Sequence, residues 1–378
     1  MAKKVENEKL AKTFGTFEIV GKVKLGNKFY TEDTSMSGYV YRRLNFSVDV
    51  GGGNKPFVQA MGGFNPSNPM PINVFDKGIK TEIDWSDRFN ESILKKVPNY
   101  VMHKVDLSKD DHGKVNFNEY LHLYDAIEEM AEQLEDGMVV KVIGNLKFQD
   151  YKDNTSVQKE IKSVYIVDVP ESDFHATFKQ GIVTTKDGFD TSLFKKEGII
   201  LLDAFVFDYE KEAEGNRPFK FRYTLDVEKF NNPDVFKKFV NNIIRPSDDK
   251  TTVYVEVSGE ITESRNTRKT TMDDLSDEVK ELIEMGLYSD EDVKDLLNQD
   301  IVEGEGERIT RWDITNLNLK IDKETKKKTY IKEVDKYKMK DLVYVKKEDK
   351  VDLNEDLDEI EDDLEDLDLG DLDDGVDF

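Results

Sequence analysis

Stretches in which apolar and polar residues alternate at every second position dominate this chain, and each predicts a half-buried strand. In the first half they cover residues 17–25, 39–50, 55–61, 138–148 and 160–169. In the second half they cover 199–209, 219–227, 251–261 and 308–321. Two segments switch to helical spacing. Residues 124–136 place Ile127, Met130, Ala131 and Leu134 on one face. Residues 232–244 do the same with Val235, Phe236, Phe239, Val240 and Ile243, and carry Pro233 where a helix tolerates it, in the first turn.

The two helices each precede an alternating strand with a single glycine inside it, Gly144 and Gly259. A glycine there marks a bulge or a sharp bend of a closing sheet. Gly51, Gly52, Gly53 and Asn54 supply a hairpin turn in the first half. The order of strands, one helix, then two more strands occurs twice and resembles the OB-fold, a five-stranded barrel with its helix between strands three and four. The expected architecture is mainly β with α insertions: two OB-like five-stranded barrels in tandem. The expected divisions are an N-terminal arm (1–13), a first module (14–170, with an insertion at 62–123), a second module (175–347, with a helical insertion at 272–299) and an acidic disordered tail (348–378). The first insertion carries turn signals followed by mixed sequence that reads as partly helical. The second reads as two short acidic helices joined near Gly286, with Ser276 and Ser289 as caps.

Charge changes this picture at one place above all. The net charge is −25, and residues 351–378 hold 15 acidic and no basic residues, which leaves 55 basic against 65 acidic before them. Such a segment cannot bury a core, because its like charges repel. Leucines, valines and one isoleucine punctuate it, and Phe378 follows Asp377. The remainder is mixed in charge, so a nucleic-acid groove has to be local. Cysteine is absent and there are four histidines, which excludes disulfides and thiolate metal sites. No apolar run reaches the roughly 20 residues of a membrane span, and residues 1–10 lack the apolar stretch of a signal peptide. No membrane partner and no cofactor are expected.

Strand parity sorts the chemistry-bearing residues. Leu44, Phe46 and Val48 point into the first barrel, while Tyr39, Tyr41 and Arg43 share the outer face and Arg42 falls among the inward residues, to emerge at the barrel mouth. Bases stacking on tyrosine and arginine are one cover for such a face, and the 62–123 insertion is the other. The same parity places Lys22, Lys24, Lys141 and Lys147 outward on the first barrel, and Lys220 and Arg222 outward on the second. Arg265, Arg268 and Lys269 are expected in a loop at the edge of the second barrel. A set of outward cations suits the phosphate backbone, whose charge is independent of sequence. The run Asp110-Asp111-His112-Gly113 with Glu119 reads better as a polar turn than as a calcium loop, because serine and histidine stand where hard oxygen ligands are needed. No paired nucleophile and base is visible, so no enzymatic activity is expected.

With these features the chain resembles a bacteriophage single-stranded-DNA-binding protein. The resemblance rests on the repeated helix–glycine–strand pattern, the aromatic and basic strand faces and the acidic tail ending GDLDDGVDF. It implies a protein of the bacterial host cytoplasm that coats single-stranded DNA in replication and recombination. It also implies that Asp371, Asp373, Asp374, Asp377 and Phe378 recruit phage replication and recombination enzymes and compete with DNA for an empty groove. The rival reading is an acidic scaffold or DNA mimic that binds a DNA-processing enzyme. Oligomeric state is not legible in the sequence.

Overall fold

A computed structural model describes residues 10–344, apart from 77–78, 110–111, 152–153, 266, 270, 273–274, 290–292, 294–299, 303–307 and 323–325. The first half runs β1 (Gly15–Lys24), β2 (Tyr30–Thr34), β3 (Val40–Asp49), β4 (Phe57–Phe64), β5 (Ile72–Asp76), β6 (Ile79–Ile83), α1 (Glu91–Leu94), β7 (His103–Asp106), β8 (Asn118–Tyr120), α2 (Leu123–Gln133), β9 (Val139–Tyr151) and β10 (Asn154–Ile166). The second half runs β11 (His175–Thr184), β12 (Phe189–Asp190), α3 (Phe194–Glu197), β13 (Ile199–Glu210), β14 (Gly215–Asp226), α4 (Pro233–Lys238), β15 (Val253–Arg265), β16 (Thr267–Lys269), α5 (Asp277–Glu284), β17 (Asp300–Val302), β18 (Arg308–Leu317), β19 (Leu319–Ile321), β20 (Lys328–Tyr330) and β21 (Lys332–Val334).

Five strands of the first half close on themselves in the order β1-β3-β4-β10-β9-β1. The β4–β10 pairing is parallel and the rest antiparallel. The second half repeats this as β11-β13-β14-β18-β15-β11, again with the third and fifth strands parallel. Both circuits are OB-like barrels, as the alternation predicts. Leu44, Phe46 and Val48 are fully buried inside the first, and burying each such side chain contributes about 1.5–3 kcal/mol. The helix of each barrel sits between strands three and four. α2 is N-capped by His122 and buries Ala126, Ile127 and Met130 against β3, β4 and β7. α4 is N-capped by Asn232, whose side chain accepts from the Asp234 and Val235 amides, with Pro233 in the first turn.

The repeated glycines explain themselves in this geometry. Gly144 of β9 lies opposite Phe17, and Gly259 of β15 lies opposite Phe178. A Cβ at either position would press on the backbone carbonyl of the closing strand (Glu160 or Asp313) and stand 2.7 Å from the phenylalanine ring. The closing strand slips register at the same level in both barrels. Only a residue without a side chain lets strands one, four and five meet this closely.

The barrels share one sheet. β1 and β11 pair antiparallel from Gly15↔Gln180 to Val20↔His175, and a single apolar core runs through both halves. The first-barrel hairpin at Gly51–Asn54 reaches across. The Asn54 side chain donates to the Ile261 carbonyl (2.8 Å) and accepts from the Glu263 amide (2.8 Å). Beside it Lys159 of β10 meets Glu263 of β15 at 2.5 Å, both buried.

The alternation did not reveal every strand. β11, the first strand of the second barrel, falls in sequence read as a junction plus unassigned chain. The 62–123 insertion, expected to be partly helical, holds the four short strands β5–β8, with a 3-10 turn at Trp85–Asp87 and the short α1 as its helical segments among the described residues. Its β5–β6 hairpin closes a small separate core of Val74, Ile83, Met102 and Leu121. In the second insertion Ser276 caps α5, whereas the expected second helix falls mainly on residues outside those described. No described helix is long and apolar enough to cross a membrane.

Candidate nucleic-acid interface

The outer face of β3 and β4 is built by parity. In the antiparallel register Tyr41 faces Gly63, Arg43 faces Met61, Asn45 faces Gln59 and Ser47 faces Phe57. All of these point away from the core, because their neighbours Leu44, Phe46, Val58 and Ala60 fill it. The face is open: Tyr39 is 37 %, Phe57 38 % and Met61 51 % exposed, and Arg43 is exposed as well. The 62–123 insertion therefore does not seal these rings. The Arg43 guanidinium lies 5.8 Å from the Tyr41 ring centre and near the Met61 sulfur (3.8 Å). Among the described residues no carboxylate pairs with it. Exposed Lys28 precedes Phe29, whose carbonyl accepts from the Asn45 amide at the edge of the face.

Arg42 is placed elsewhere than expected. Its parity is inward and it is buried, but it lies beneath α2 and β2 and not at the barrel mouth. It binds both Glu128 carboxylate oxygens (2.8 Å each) and Glu32 (3.2 Å), with its guanidinium 3.9 Å over the Tyr124 ring. An arginine committed to two carboxylates and a ring holds the helix on the barrel and has no reach for a phosphate.

The outward lysines stand where parity places them, each against a carboxylate. Lys22 meets Glu171 (2.5 Å), Lys24 meets Asp136 (3.5 Å), Lys141 meets Glu18 (2.6 Å) and Lys147 meets Glu160 (3.8 Å). These are exposed pairs, contributing about 0–1 kcal/mol each, so a polyanion could displace the carboxylate at small cost.

The equivalent face of the second barrel is ion-paired near its centre and covered farther along. Asp203 of β13 takes both outward cations of β14, Arg222 at 2.7 Å and Lys220 at 3.2 Å, and the Arg222 hydrogen bond holds its carboxyl below the usual range. Farther along β13, the outward Phe207 is fully buried, stacked on Tyr337 at 4.3 Å. The backbone of Thr13 bonds the Phe207 carbonyl, and the Tyr337 hydroxyl bonds the Ala11 carbonyl (3.0 Å), so both ends of the described chain cover this strand. Arg265 ends β15, and Arg268 and Lys269 lie in β16, paired with β17. They are strand residues and not the loop residues expected. Asp371, Asp373, Asp374, Asp377 and Phe378 lie outside the described residues, as do Asp110 and Asp111 of the polar turn.

Phe57, Gln59, Met61 and Lys28 did not figure among the expected site residues. Parity applied to β4 as it was to β3 would have found the first three. Lys28 belongs to a turn, where alternation is silent.

No protein-family pattern matches the chain, and no curated protein matches it. Among solved structures it is similar to the wild-type single-stranded DNA binding protein from Thermus aquaticus, at 9% identity and a TM-score of 0.31, covering 67% of this chain and 87% of that one. A deletion mutant of the same Thermus aquaticus protein gives 10% identity and a TM-score of 0.31, covering 68% of this chain and 89% of that one. The OB-like assignment rests on the strand pairing itself.

Proposed function

We propose that this protein is a non-enzymatic single-stranded-DNA-binding protein that engages DNA through the β3–β4 face of its first barrel. The observation that carries this reading is the exposed Phe57 and Met61, with the half-buried Tyr41, around an Arg43 that no described carboxylate neutralises. Exposed rings on a strand offer stacking platforms that tolerate any base, and the strand-two and strand-three face of an OB barrel is the side on which oligonucleotides lie. Asn45 and Gln59, paired across the two strands, add amides able to bond sugar, phosphate or base edges. One open face fits about 4–16 nucleotides. The ion-paired Lys22, Lys24, Lys141 and Lys147 form a secondary rim whose carboxylates yield to the strand. The acidic segment 351–378 competes with DNA for the face, and when displaced recruits replication or recombination enzymes, in keeping with a role in phage DNA metabolism in the host cytoplasm.

A gel shift with single- and double-stranded oligonucleotides, using the full chain and a chain lacking 351–378, tests this. The single strand shifts, the truncated form binds more tightly, and both weaken steeply with salt. Equal affinities of the two forms at low salt would remove the competition by the tail.

The pairing of so many outward cations within the chain favours a second reading, an acidic interaction protein that binds a DNA-handling enzyme. It predicts no shift with any oligonucleotide, even after truncation.

A further inference from the structure

Where β3 and β4 meet the 62–123 insertion, the chain forms a cleft of about 580 Å³, within the range that holds small organic groups. Its floor is aromatic. Phe64 stacks on Trp85 at 4.3 Å between ring centres, and His122 sets its ring edge-on to Trp85 at 4.8 Å. Tyr39, which immediately precedes β3, and Asn73 of β5 both line it. Tyr41 and Arg43 follow Tyr39 on the outward side of β3, so the cleft adjoins the open face.

The polar equipment of the cleft is specific. Among the described residues no Asp, Glu, Lys or Arg lines it. The His122 Nδ1 accepts from the Tyr124 amide (3.1 Å), so in the neutral ring the proton sits on Nε2. The His103 Nδ1 lies 3.2 Å from the Lys162 carbonyl, which can only accept, so the proton sits on Nδ1 and Nε2 is an acceptor. Burial lowers the pKa of both rings, His122 to about 4, which keeps them neutral at ordinary pH. The two imidazoles thus differ in kind: one has a free N–H donor and the other a free lone pair.

We propose that this cleft takes one nucleobase of the strand lying on the β3–β4 face, unstacked from its neighbours, with its polar edge bonded between His122 and His103. An uncharged planar ring carrying a donor beside an acceptor matches the uncharged walls and the unlike pair, as in other sites that read an extruded base. Its sugar and phosphate stay outside, toward Arg43. The inference rests on the single-strand reading above and deepens it.

Tryptophan emission tests it, because the chain has two tryptophans and Trp312 is buried in the shared core, which leaves Trp85 as the reporter. Deoxyadenosine is titrated alone, with deoxyribose 5-phosphate as the control, and strand binding is read by gel shift on the same samples. A saturable change with deoxyadenosine, none with the sugar phosphate, and at least about a tenfold weaker response in Asn73→Phe are expected. Asn73 is exposed on β5, so this variant fills the cleft without entering the core; an unchanged far-UV spectrum checks that. Strand binding without any deoxyadenosine response, or an equal response to the sugar phosphate, overturns the cleft and leaves the strand reading standing. A deoxyadenosine response with no strand binding overturns the proposal as stated, because the base would then not belong to a bound strand.

Discussion

Phe17 of β1 and Phe178 of β11 face each other as partners in the ladder that joins the two barrels. Each is buried, each closes over the glycine of its own barrel, and the two contribute to one continuous core. The joint is therefore the first strand of both barrels at once. Phe178→Ala is expected to cost about 3–5 kcal/mol and to lower a single transition for the whole described body. Coincident unfolding curves from far-UV dichroism and tryptophan emission check this, and two separated transitions would contradict it.

The Lys159–Glu263 pair crosses between the barrels with both side chains out of water. Removing one partner takes the counter-charge from the other inside the fold, so Lys159→Met is expected to destabilise by about 3–5 kcal/mol in urea unfolding. The double variant Lys159→Met with Glu263→Leu recovers most of that loss, because no buried charge remains. Recovery is incomplete, since Glu263 also accepts from the Phe57 amide (3.0 Å).

The two barrels differ in how their outward arginines are held, Arg43 without a carboxylate among the described residues and Arg222 against Asp203. Arg43→Ala is expected to weaken single-strand binding by about 1–3 kcal/mol, the scale of one stacked base, with Met61→Ala or Tyr41→Ala falling in the same range. Arg222→Ala changes affinity little, because Asp203 already holds that guanidinium. Fluorescence anisotropy on one labelled oligonucleotide at fixed salt compares them. A larger loss from Arg222→Ala than from Arg43→Ala would move the interface to the second barrel.

Burial pushes the His122 pKa down to about 4, with His103 and Arg88 nearby acting in the same direction. The unfolded chain binds a proton near the ordinary histidine pKa of about 6.5, before the folded chain does. Stability from this residue is thus complete above about pH 6.5, falls as the pH drops toward 4, and falls no further below that. His122→Asn keeps a side-chain acceptor for the Tyr124 amide at the start of α2 and lacks the titration. Melting temperatures between pH 7 and 5 are expected to decline less in this variant than in the parent. Part of the slope remains, because His103 is shifted the same way.

Legibility followed the range of the interaction concerned. The inward residues Leu44, Phe46 and Val48 were readable because alternation is a property of a strand by itself. So was the cap at Ser276, which needs only the next three residues. The strand β11 escaped because its sequence, HATFKQGIVT, mixes polar residues that are covered by the neighbouring barrel strand with apolar ones. Gln180, buried opposite Gly15, reads as a solvent residue until β1 is placed beside it. Parity likewise put Arg42 inside, but only the packing of α2 shows that Glu128 and Glu32 await it there.

Residue order alone determined the five strands of the first barrel, four of the second, their helices, their bending glycines and an anionic final segment, since each depends on neighbours a few positions away. Which barrel keeps an open face was decided in three dimensions. Asp203 lies 17 and 19 positions from the cations it neutralises, and Thr13 meets Phe207 across 194 residues, distances over which no local pattern in the chain carries information.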